Sequence, residues 1–167
     1  MLKTLEILRA EYTPEDAMRA IVNTDGTVHI ADIRSVYYPY KLIKYDLDVG
    51  KKGKLSQLKK KAYCIVDLAV GRPAEGRGDP QYDREDVDEE LIIGETIDDD
   101  KANHLAYDFV LKLYLNKAKL MHTPKIHTTE EKYFHKKFYI VRCLDKEDLD
   151  YFIMVDAIDG GLVILDD

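Results

Sequence analysis

Two stretches of this chain carry one pattern, and that repetition constrains the fold more than any other feature. Ile65-Val66-Asp67-Leu68-Ala69-Val70-Gly71 and Met154-Val155-Asp156-Ala157-Ile158-Asp159-Gly160 both read Val-Asp, three residues, Gly. An aspartate ending a strand accepts backbone N–H groups from the turn that follows, and glycine allows left-handed backbone there. Each copy is therefore expected to close a strand with a tight turn. Folding alone explains both aspartates. In the second copy a short apolar strand, Leu162-Val163-Ile164-Leu165, returns after Gly161.

The elements before each copy also correspond. Thr13-Pro14-Glu15-Asp16 is a helix start: threonine caps, proline fits the first turn and the acids favour the positive helix end. That predicts a helix over 13–22 with Ala17, Met18, Ile21 and Val22 on its apolar face. The acids Asp98, Asp99 and Asp100 open a longer helix over 99–120, with Ala102, Leu105, Phe109 and Leu113 as one stripe. Val28-His29 matches Ile126-His127, and Tyr40-Lys41-Leu42-Ile43 matches Phe138-Tyr139-Ile140-Val141. A shared order of elements with one longer loop is what duplication leaves. The fold class is α+β: two diverged helix-plus-antiparallel-sheet repeats. The first repeat is 1–78, an acidic connector runs over 79–98, and the second repeat is 99–167. The alternative is one compact pseudo-symmetric domain. Expected core residues are Ile21, Leu42, Ile65, Leu105, Phe109, Ile140 and Val155.

Other segments read less sharply. Leu2, Leu5, Leu8 and Tyr12 are spaced for a helix, although Leu5, Ile7 and Arg9 suit a strand; the helix is favoured. Pro39 cannot donate to a ladder and marks an edge, a bulge or a break in the strand leading to Tyr38. The Gly and Pro density of residues 72–80 predicts a loop, and the acidic block 83–90 a solvated connector. Residues 125–129 read as a short strand and 133–144 as a longer one.

Phe138-Tyr139-Ile140-Val141-Arg142 together with Val155-Asp156-Ala157-Ile158-Asp159-Gly160-Gly161-Leu162-Val163 resembles the PepSY family and its cystatin-like relatives, here as a tandem pair. The likeness covers about the last 70 residues and extends more loosely to the first copy. It implies a non-catalytic unit that inhibits or regulates partners, often outside the cytoplasm. The N-terminal residues lack the continuous apolar segment of a secretory signal, and no run approaches the roughly 20 apolar residues of a membrane span. A cytoplasmic location is therefore expected, which departs from the family's usual setting.

Bulk charge narrows the partner. A net charge of −7 argues against nucleic-acid binding, which needs a basic field. Twelve tyrosines with no tryptophan favour strands and half-wet surfaces. Tyr37, Tyr38 and Tyr40 flank the proline and form the candidate contact surface. Lys51, Lys52 and Lys54, in the lysine-rich loop beside it, are candidate contacts for an anionic partner such as a membrane face or nucleic acid; the alternatives are that they neutralise the acidic 83–90 segment or keep the loop solvated.

Catalytic signatures are weak. His122, His127 and His135 lie in one stretch near Glu130 and Glu131, but their spacing fits no standard metal site. Ser35, His29 and Asp32 form a triad only on paper, since neighbours on one strand alternate faces. Gly71 to Gly78 lacks the Lys-Ser/Thr of a phosphate loop. Cys64 and Cys143 are expected to be buried free thiols. No cofactor or metal is called for. The leading expectation is a non-enzymatic binding or regulatory module whose unknown protein partner meets the tyrosine-rich strand or a sheet edge; homodimerisation is one mode. The alternative is a small enzyme or ligand carrier with a helix–sheet pocket lined by groups such as His29, Tyr40 and Asp67.

Overall fold

The computed structural model describes residues 1–48, 59–118 and 124–165. In chain order the elements are β1 (Leu2–Leu8), α1 (Pro14–Thr24), β2 (His29–Asp48), β3 (Lys59–Asp67), β4 (Arg72–Glu75), β5 (Tyr82–Asp88), α2 (Asp99–Ala118), β6 (Lys125–Leu144), β7 (Asp150–Asp156) and β8 (Leu162–Leu165). The class is α+β with a mixed sheet. Strands neighbour one another in the order β4-β3-β2-β6-β1-β5, with β7 on β6 and β8 on β7. β1 meets β6 in parallel at Ile7 and His135, whereas β1–β5, β2–β3, β3–β4, β6–β7 and β7–β8 are antiparallel.

The chain forms two compact units that interleave in sequence. One comprises residues 1–38, 81–93 and 135–167; the other comprises 39–80 and 94–134. Each is therefore built from both halves of the chain.

In the first unit α1 starts at a capping box. The Asp16 N–H donates to the Thr13 hydroxyl at 3.1 Å, and the Thr13 N–H donates to the Asp16 carboxylate at 3.0 Å. Ala17 and Ile21, four residues apart, turn inward. They pack on Tyr139, Val141 and Cys143 of β6 and Ile153 and Val155 of β7. The alternation along these strands places every second side chain under the helix. Glu11 and Tyr12 N–H groups both donate to the Ala157 carbonyl at 2.9 Å, and the Tyr139 hydroxyl donates to the Tyr12 carbonyl at 2.7 Å. The chain entering α1 is thus tied to the turn after β7.

In the second unit α2 buries Ala102, Ala106 and Val110, again four residues apart. Small side chains there bring the helix close to Ile43, Tyr45 and Leu47 of β2 and Ala62, Cys64 and Val66 of β3. Leu105 and Phe109 pack on that cluster from its flank and are half-buried. Thr96 and Ile97 N–H groups donate to the Leu68 carbonyl at 2.8 and 3.3 Å. Here too the chain entering the helix is tied to the turn after a strand, in this case β3.

Several expectations are corrected. Residues 2–8 form a strand, because only Leu5 and Ile7 are buried among them, a period of two. The acidic connector contains β5, whose charges find partners: Arg9 meets Asp83 at 3.0 Å, the Thr4 hydroxyl meets Asp86 at 2.6 Å and Lys137 meets Glu85 at 3.0 Å. Residues 72–75 form β4 rather than loop. Pro39 does not break β2, and the boundary between units falls at that residue. Residues 125–144 form one strand instead of two. Ile65 is half-buried, while Ile21, Leu42, Ile140 and Val155 are core. The linear segments 1–78, 79–98 and 99–167 differ from the compact units because a cut near residue 80 separates each helix from the strands it covers.

Candidate functional site

The two Val-Asp turns are built alike. Asp67 accepts from Ala69 and Val70 N–H groups at 2.8 and 3.1 Å, and Asp156 accepts from Ile158 at 2.7 Å. Gly71 and Gly160 both have φ of +74°. The second oxygen of each carboxylate meets a neighbour on the long strand beside it: the Tyr40 hydroxyl at 3.3 Å from Asp67, and the Lys136 ammonium at 3.0 Å from Asp156. Both aspartates are committed to local structure.

The tyrosines of the expected contact surface are largely packed. Tyr37 and Tyr40 are buried, with 6% and 9% of their surface exposed. Tyr37 lies under the Lys137 ammonium, 5.7 Å from the ring centre, and burial pushes its phenol up. Tyr40 stacks on Phe134 at 5.7 Å. Tyr38 is half-buried and meets Phe138 edge-on at 5.1 Å. Lys51, Lys52, Lys54 and His122 lie outside the described residues.

A polar constellation that sequence reading missed lies in the second unit. Lys41 on β2 is 1% exposed, the only buried charged residue among those described. Its ammonium meets Asp99 at 2.5 Å, Asn103 at 2.8 Å and Glu131 at 2.9 Å. Tyr133 lies against it, 5.1 Å from ring centre to nitrogen, and donates its hydroxyl to Asp99. Burial alone would push the Lys41 pKa down, but hydrogen bonds to Asp99 and Glu131 outweigh that and hold it above 10.5. The same ammonium holds Asp99 below 3.8, and the bond to Asp99 pushes the Tyr133 phenol up. Three N–H donors meet three acceptors, so this lysine is saturated and protonated. It offers no lone pair for nucleophilic or Schiff-base chemistry. Its effect is to hold the first turn of α2 on the sheet. The signal was present as a lone lysine inside Tyr-Tyr-Pro-Tyr-Lys-Leu-Ile, with acids at the start of the later helix.

Other chemical candidates do not assemble. Tyr40 and Asp67 meet, whereas His29 belongs to the other unit. His127 and His135 fall in different units, and among the described residues no three metal-ligating side chains converge. Cys64 and Cys143 are buried and unbridged; burial pushes the Cys64 thiol up to about 12. A groove of about 390 Å³ runs along the outer flank of α2, floored by Pro73, Leu105, Phe109 and Leu113. Among the described residues no helix is long and apolar enough to cross a membrane.

The sheet edges differ in character. β4 is four residues long and contains Pro73, and β5 is lined by Asp83, Arg84, Glu85, Asp86 and Asp88. Proline and charge are ordinary protections of an edge. β8 has neither. Val163, Ile164 and Leu165 are 57%, 65% and 36% exposed, and among the described residues no strand pairs its outer side. The Asp156 N–H donates to the Gly161 carbonyl, so the register Met154↔Val163 and Ile153↔Ile164 alternates from there. By that alternation Val163 and Leu165 bond to β7, while the N–H and C=O groups of Leu162 and Ile164 point outward.

Comparison with protein-family models, with curated proteins and with solved structures finds no match for this chain.

Proposed function

We propose that the protein is a non-enzymatic binding module that takes an extended protein segment onto the free edge of β8. The observation that carries this reading is a contrast among the described strands: β4 and β5 carry proline or charge along their edges, whereas β8 is apolar, exposed and without a partner on its outer side among the described residues. An open edge offers main-chain hydrogen bonds to an added strand, and the side chains on either face select it. The saturated Lys41 cluster and the buried tyrosines fit the same reading, since they hold the scaffold rather than present reactive groups.

A tandem origin by duplication supports a scaffold role. Thr13 and Asp98 both cap a helix, Ala157 and Leu68 both receive the paired N–H bonds, and Gly160 and Gly71 both lie against the residue before a cap, Tyr12 and Ile97. In this proposal each helix crosses to the strands of the other copy. The likeness to PepSY units, with the partner-regulating role it implies, points the same way.

Retention of proteins from a native cell extract tests the reading. The Ile164 N–H points away from β7, so Ile164→Pro removes a docking donor without cutting the β7–β8 ladder. It should abolish retention of whatever binds the edge, while Tyr38→Ala, away from that edge, should leave it unchanged. Equal retention by wild type and Ile164→Pro would sink the proposal.

A further inference from the structure

We draw no further inference here: the strongest candidate, the groove of about 390 Å³ along the outer flank of α2 floored by Pro73, Leu105, Phe109 and Leu113, is an unpartnered apolar face, and nothing in the structure shows what covers it.

Discussion

At the scale of single residues, Lys41 decides how α2 is held. Its nitrogen is buried, while Asp99 and Glu131 are each about half exposed. The two sides of the cluster therefore differ in cost when removed. Lys41→Met keeps the aliphatic packing and leaves two carboxylates that water can reach; a loss of about 1–2 kcal/mol is expected. Removing both acids, Asp99→Asn with Glu131→Gln, strands a buried ammonium and should cost about 3 kcal/mol or more. Urea unfolding of the two variants measures the order, and the reverse order would contradict the cluster's described burial. The pH response follows from the shifts. Asp99 is held below 3.8, so its contribution is present above that value and is lost as pH falls through the lower folded pKa. Lys41 is held above 10.5, so its contribution is present below that value and is lost as pH rises through the higher one. Across the neutral range the contribution of this cluster should be flat, and Lys41→Met should remove its share of the loss at both extremes.

At the scale of elements, the two glycine turns make a matched experiment. Gly71 and Gly160 share φ of +74°, so alanine is strained at both, by about 1–2 kcal/mol. A Cβ at Gly71 would meet Ile97 at an ordinary 3.5 Å, whereas one at Gly160 would meet the Tyr12 ring at 2.7 Å. Gly160→Ala should therefore destabilise more than Gly71→Ala in thermal unfolding. Adding Tyr12→Leu should shrink the difference, and equal effects would show that the ring yields freely. These turns were legible from sequence because their chemistry is local: an aspartate, three residues and a glycine suffice. The threonine-capped start of α1 and the strands β7 and β8 were legible for the same reason. β1 and β5 were not. Leu2, Leu5 and Leu8 satisfy a helical spacing, and only pairing with β5 makes the alternation of Leu5 and Ile7 the one that counts. The acids of β5 read as solvated until Arg9, Thr4 and Lys137 are placed beside them. Lys41 escaped notice because its acceptors lie on α2 and β6, far along the chain.

At the scale of the whole molecule, what matters is that neither compact unit is continuous in sequence. The unit holding α1 needs residues 135–165, and the unit holding α2 needs β2 and β3. Fragments 1–93 and 94–167 should each lack cooperative unfolding alone, because each carries a helix without its strands. Mixed at equal concentration, they should regain a cooperative transition by circular dichroism. A fragment that folds cooperatively by itself would contradict the interleaving.

The interleaving of the two units in sequence also sets an order of events on the ribosome. The strands beneath α2 are already made when that helix emerges, so it docks on what precedes it. The amphipathic helix α1 is made early and must wait for β6 and β7. At about 5–20 residues per second the delay is roughly 7–30 s. Throughout that interval Ala17 and Ile21 have no sheet to cover, and the nascent chain carries an unshielded apolar stripe that a holding chaperone would be needed to guard.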